Sequence, residues 1–195
     1  MKEVSKKYYP FLFVILLGCL NDGTGVFLIR SGLSNVVLSN LFSLLEAILF
    51  LLYLKNTGYQ KQLSSYLPFL ISFLLIFWGI ENFFIWGFGK SYNSYFNILS
   101  GLPLVLLSIN ILNKILVKER DVLKNADFLL CIAFIIYFTY RILGEVFWLF
   151  GQSLSEQFMG KVFEIHALVN ILCNIIYALA VLCIQKKQPF TLQYS

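Results

Sequence analysis

Arg141 and Glu145 stand four residues apart in an otherwise apolar stretch, a spacing that puts both side chains on one helix face and lets them pair. Asp22, Glu81 and His166 are similarly isolated among residues that avoid water, and Asn40, Asn82 and Asn170 add amides at comparable positions. The chemistry open to this set is narrow. A guanidinium can hold a polar or anionic ligand, carboxylates and an imidazole can carry ions or protons, and amides can join helices with about 0.6 to 2 kcal/mol each. Placing Arg, Lys or Asp in hydrocarbon costs roughly 2.5 to 3.5 kcal/mol on insertion scales, so such residues persist where they pair, line water or bind something. Helix-packing glue and a ligand-binding polar cavity are the two readings of the eight residues.

The elements that must position them are apolar blocks near 9–29, 34–54, 67–88, 95–116, 127–150 and 162–185. Each is about 20 residues, the length a helix needs to cross roughly 30 Å of hydrocarbon. The chain is 59% hydrophobic and only 13% charged, where a soluble domain carries about a quarter charged residues. The expected fold is therefore all-α: one polytopic membrane bundle over 1–195, with six transmembrane helices. Met1–Lys7 and Phe11–Leu20 resemble the start of a signal peptide, but Asn21-Asp22-Gly23 stands where small residues would set a cleavage site, so the first helix is expected to be retained.

The net charge of +5 is explained by topology and lipid, without a nucleic-acid partner. Eleven basic residues fall before, between or after alternate spans (Lys2, Lys6, Lys7; Lys55, Lys61; Lys114, Lys118, Arg120, Lys124; Lys186, Lys187). The other side holds three: Arg30, Lys90 and Lys161. The positive-inside rule then places both termini in the cytoplasm. In that frame Glu81 and Arg141 lie about 14 residues into their spans, roughly 21 Å from the cytoplasmic side. Asp22 is comparable, and Asn40, His166 and Asn170 sit one to two turns below the outer surface. Glu46 and Asn174 are deeper. The set gathers in the outer half, where Arg141 is placed to pair with Glu145 locally or to neutralise Glu81 or Asp22.

Several local patterns carry further expectations. His166, Asn170 and Asn174 follow at i, i+4 and i+8, with Tyr177 beyond, and are predicted to face inward as one stripe; Ser39, Ser43 and Glu46 make its counterpart in the second span. Asn21-Asp22-Gly23-Thr24-Gly25 predicts local unwinding of the first helix, which at membrane depth needs protein or water around it. Trp86 and Trp148 mark the outer interface and Tyr8, Tyr9 and Tyr66 the inner one, while Trp78 reads as packing. Tyr9-Pro10-Phe11-Leu12 and Leu67-Pro68-Phe69-Leu70, with Asn40, Asn97 and Asn170 in the even spans, hint at a repeated hairpin. The four cysteines have unrelated spacings and read as small hydrophobes.

Enzyme chemistry finds little here. His166 is the only histidine, which excludes a His-rich zinc site, and phosphate-binding and kinase motifs are absent; no cofactor is expected. Ser100-Gly101 in the fourth span and His166 in the sixth resemble the Ser–His dyad of rhomboid intramembrane proteases. Ile98 stands where rhomboids carry glycine, and Asn170 and Asn174 replace small residues after the histidine.

Asn35…Asn40-Leu41-Phe42-Ser43-Leu44-Leu45-Glu46 and Ile165-His166-Ala167-Leu168-Val169-Asn170…Asn174…Tyr177-Ala178 are similar to a loose group of uncharacterised small bacterial multi-pass proteins. The resemblance covers about a quarter of the chain; it implies only that the polar stripes form a recurring architecture, with no established activity. The expected location is the bacterial inner membrane. The expected function is non-enzymatic: a sensing or accessory subunit with an outward polar cavity, its Lys114–Asp127 loop contacting a cytoplasmic signalling or defence component. A small transporter or channel, within one chain or between the protomers of a homo-oligomer, is the alternative. Membrane-impermeant thiol labelling of intact cells should modify Lys90→Cys and spare Arg120→Cys; the reverse result inverts the topology.

Overall fold

The computed structural model describes residues 4–60, 62–119, 121–151 and 155–184. Lys2, Lys61, Arg120, Lys186 and Lys187 of the basic pattern lie outside the described residues. Six long helices form the described chain, with no β-strand among these residues: α1 (Tyr9–Arg30), α2 (Val36–Asn56), α3 (Leu63–Ile80), α4 (Ser94–Lys118), α5 (Ala126–Phe150) and α6 (Glu156–Cys183). All six are long and apolar enough to cross a membrane, the make-up of a multi-pass membrane protein. The boundaries predicted from hydropathy differ by a few residues at most ends; α3 ends as an α-helix at Ile80 rather than 88, and α6 starts at Glu156 rather than 162 because Ser155 caps it: its hydroxyl accepts from Phe158 N at 3.2 Å.

α1 runs unbroken through Asn21–Gly25, correcting the expected unwinding. Thr24 Oγ1 bonds back to Leu20 O at 2.6 Å, so its hydroxyl is satisfied within the helix, and intrinsic propensity is a weak preference that the 22-residue apolar helix overrides. The helix stops instead at Gly32, whose φ of +72° allows Gly32 N to bond Ile29 O and Leu33 N to bond Leu28 O, a Schellman ending. At its far end α3 widens into a π turn over Glu81–Ile85, closed by Trp86 N to Glu81 O at 3.1 Å.

α2, α4 and α5 make the core. Their most apolar windows are 39–44% buried, against 11–17% in α1, α3 and α6, which turn large side chains such as Phe69, Phe84 and Leu182 outward. The tightest approach is between α4 and α5, where a Cβ on Gly101 would sit 3.0 Å from Ile142 Cδ1. One half of the interior is aromatic: Phe50 meets Phe134 and Phe138 with ring centroids 4.5 and 5.6 Å away, and Phe11 meets Tyr177 at 5.5 Å.

The end carrying the described termini is tied by polar contacts. Asp127, 2% exposed, accepts from Lys7 Nζ at 2.6 Å and Tyr53 Oη at 2.8 Å, joining the N-terminus, α2 and α5. Asn125 caps α5 through Asp127 N and Phe128 N and donates to Glu119, which also accepts from Tyr59 Oη at 2.8 Å. Burial and the bond to Glu119 push the Tyr59 phenol up to about 12, so it remains a donor at physiological pH. Lys7, Tyr53, Glu119 and Asp127 thus gather at one basic end, opposite the candidate site.

Gly101→Leu should force α4 from α5 and destabilise the protein by about 1–3 kcal/mol or more, read as a lowered unfolding temperature in detergent. An unchanged value would show that the contact is not tight.

Candidate functional site

Charged and polar side chains converge where the helices separate at the far end. α2 projects Ser39, Asn40, Ser43 and Glu46 at helical intervals, and α5 projects Tyr137, Arg141 and Glu145 at i, i+4 and i+8. α1 adds Asp22, α4 adds Asn97 and α6 adds His166 around a cavity of about 420 Å³.

Arg141 is the centre. Its Nη1 donates to Glu46 Oε2, and its Nη2 donates to Asn97 Oδ1 at 3.0 Å. The side chains of Arg141 and Glu46 are 15% and 5% exposed, so this is a buried ion pair. Asn97 then passes the network on: its Nδ2 donates to Glu145 Oε1 at 2.6 Å. The carbonyl of Asn97 faces the guanidinium and its amide nitrogen faces the carboxylate, the one orientation that satisfies both neighbours.

Two sequence expectations are corrected here. Arg141 does not pair with Glu145 despite the i, i+4 spacing, because Asn97 from α4 inserts between them and Glu46 from α2 offers a second carboxylate. Nor does Arg141 neutralise Glu81. Fully buried, Glu81 accepts from Tyr95 N at 3.0 Å and Phe96 N at 2.6 Å, with Trp86 Nε1 at 3.3 Å. Its carboxylate satisfies free N–H groups at the start of α4, where the helix dipole also favours negative charge. The π turn places Glu81 against that helix start.

Asn40 and Asn82 form a neighbouring latch. Asn40 Nδ2 donates to Ser91 O at 2.9 Å and Asn82 Oδ1 at 3.2 Å, while Asn40 Oδ1 accepts from Asn93 N at 3.1 Å. Asn82 Nδ2 donates to Trp78 O, and Trp78 Nε1 donates to Asn40 O, both at 2.9 Å. These bonds hold the α3–α4 connection over α2. Asn40 also borders the cavity; Glu81 and Asn82 do not.

The predicted α6 stripe divides. His166 borders the cavity, half-buried, across from Gly144, where an added Cβ would make an ordinary contact with Nδ1 at 3.8 Å. Asn170 and Asn174 are exposed on the bundle exterior, correcting the inward assignment. Each four-residue step advances about 40° beyond a full turn, so the i+4 and i+8 positions drift off the inward face while Cys173, Tyr177 and Ala180 return to it. The outward Asn170 also separates α6 from any strict repeat of Asn40 and Asn97, both buried. Ser100 donates along its own helix to Asn97 O at 3.4 Å and is not among the cavity residues.

Glu46, Asn97 and Asp127 carry polar roles that the eight-residue set omitted. Glu46 had a signal, as the one carboxylate within the second apolar block. Asn97 had only its place beside Asn40 and Asn170 in the suggested hairpin repeat. Among the described residues no three His, Cys, Asp or Glu side chains converge as a metal site. No known protein family, curated protein or solved structure matches the chain.

Removing one partner of the buried pair should be costly and removing both much less so. Arg141→Met should lose about 3–5 kcal/mol of stability by stranding Glu46, and Arg141→Met with Glu46→Leu should recover most of it in thermal unfolding. Additive losses would show that the pair is not coupled.

Proposed function

We propose that this chain is a non-enzymatic multi-pass protein of the cytoplasmic membrane, a sensing or accessory subunit that holds a small ligand in a blind cavity open on the side away from the cytoplasm. The orientation rests on the basic residues gathered at the opposite end.

The floor of the cavity carries this reading. Toward the basic end from Glu46 and Arg141, the next turns of α2 and α5 present Phe50, Phe138 and Phe134, and α1 adds Phe11; none is more than 2% exposed. A conduit needs polar groups to continue past that point. Asn110 and Asn174 are exposed on the exterior, and the buried hydroxyls of Ser108 and Tyr177 each stand without a polar partner rather than in a continuous polar row. The geometry therefore favours a closed site over a path through one chain. Ser100, bonded within α4 and away from the cavity lining, gives little support to a serine nucleophile acting with His166.

A route to the other end runs along α5, which carries Arg141 and Glu145 in one half and Asp127 in its first turn. Arg141 and Asp127 are 14 residues apart, roughly 21 Å of a single helix. Next to Asp127, Val117, Lys118, Leu123 and Lys124 are exposed around the anchored Glu119. Mixed apolar and basic, this surface suits a cytoplasmic effector, and a shift of α5 on ligand binding would reach it.

Thiol accessibility separates the blind site from a conduit. A charged methanethiosulfonate reagent added outside should modify Ser39→Cys on the cavity wall and leave Ser108→Cys, fully buried on α4, unreacted. Comparable rates at both positions would overturn the blind cavity.

A further inference from the structure

The charge facing the cavity is unbalanced, and this bears on what the proposed ligand site would take. Among the described lining residues Arg141 is the only guanidinium or ammonium, and its charge is already paired with Glu46 while a second of its five N–H groups goes to Asn97. Asp22 and Glu145 line the same space, and neither forms an ion pair among the described residues. Glu145 accepts one amide N–H from Asn97, and Asp22 accepts one from Asn21 at 3.4 Å. With Glu46 included, carboxylates outnumber cations whether or not His166 carries a proton. Arg30, Lys90 and Lys161, also toward the far end, are exposed and line neither this cavity nor its neighbour. An anion entering here would meet two carboxylates and no uncommitted cation.

The neighbouring space supplies an independent feature. A second cavity, of about 660 Å³, shares Ser94, Trp148 and Phe163 with the first, so the two are adjacent. Its lining includes Trp86, Tyr95, Leu149 and Met159 and has no charged residue among those described. Trp86 stacks on Tyr95 with centroids 6.1 Å apart, and Trp148 meets Phe163 edge-on at 6.2 Å. Indole faces attract organic cations and bury apolar groups, and both volumes fall in the range of small-molecule sites. An acidic compartment thus lies beside an aromatic, uncharged one.

We propose that the two cavities together bind one amphiphilic organic cation, its charged centre against Glu145 and Asp22 and its apolar part among Trp86, Trp148 and Phe163. This rests on the blind-cavity reading and adds the ligand class. It replaces the anionic ligand expected from Arg141 alone, because the charge of that guanidinium is already balanced by Glu46.

The test compares tetraphenylphosphonium with tetraphenylborate, alike in shape and opposite in charge, on the purified full chain in detergent. Tetraphenylphosphonium should quench tryptophan fluorescence saturably and bind at least about tenfold more tightly than tetraphenylborate. Glu145→Gln should weaken it about tenfold at an unchanged unfolding temperature, with Asp22→Asn as the second variant should the first fail to fold, and Trp148→Ala should weaken it as well. Equal or tighter tetraphenylborate binding, or indifference to both carboxylate variants, overturns the cation assignment while leaving a cavity in place. Failure of both probes to bind also overturns it; if Ser39→Cys is then unreactive as well, the cavity reading falls with it.

Discussion

A guanidinium held among apolar helices has to be solvated by the protein itself, and the far half of this bundle is arranged around that requirement. Glu46 supplies the countercharge from α2, and Asn97 supplies a carbonyl from α4. Three helices are thereby brought into register at one depth. The same network sets the chemistry of the space beside it, since Asn97 uses its amide nitrogen to hold Glu145 at the cavity wall. Once Arg141 is committed to Glu46, the remaining carboxylates define the character of the cavity.

Around this centre, polar side chains are spent on backbone groups that helix ends leave unpaired. Glu81 satisfies the start of α4, Asn40 holds the α3–α4 connection, and Asn125 caps α5. Water cannot do this work in an apolar surrounding, where each unpaired backbone group costs several kcal/mol. Polar residues at the helix starts therefore fold the chain, while others face the space between α1, α2, α5 and α6. The aromatic packing of Phe11, Phe50, Phe134 and Phe138 separates that space from the Lys7–Asp127–Tyr53 cluster, so the molecule has two polar ends and a dry middle.

How much of this was legible depended on whether the signal was local. The six helices follow from runs of about 20 apolar residues, a property of the chain that no tertiary contact has to supply. Asp22, Asn40, Arg141, Glu145 and His166 could be singled out because an ionisable or amide group in an apolar run is conspicuous, and all five border one cavity. Periodicity carried less far. The i, i+4, i+8 series in α6 looked like a face but drifts around the helix, so Asn170 and Asn174 point outward. In α1 the weak formers Asn21–Gly25 looked like a break, yet intrinsic propensity is a weak local preference and the helix runs on through them.

Pairing was the part only the tertiary structure decided. Spacing along one helix offered Glu145 to Arg141, and depth offered Glu81, yet the partner is Glu46, brought alongside by the packing of α2 against the bundle. Local spacing measures distance along a helix, whereas a salt bridge depends on which helices are neighbours and how each is rotated. The sequence by itself determined that the chain forms six apolar helices with a few charges that must be satisfied among them. Which carboxylate satisfies the arginine, which caps a helix, and which are left facing a cavity were decided by helix packing, because those choices compare contacts between segments that only the fold brings together.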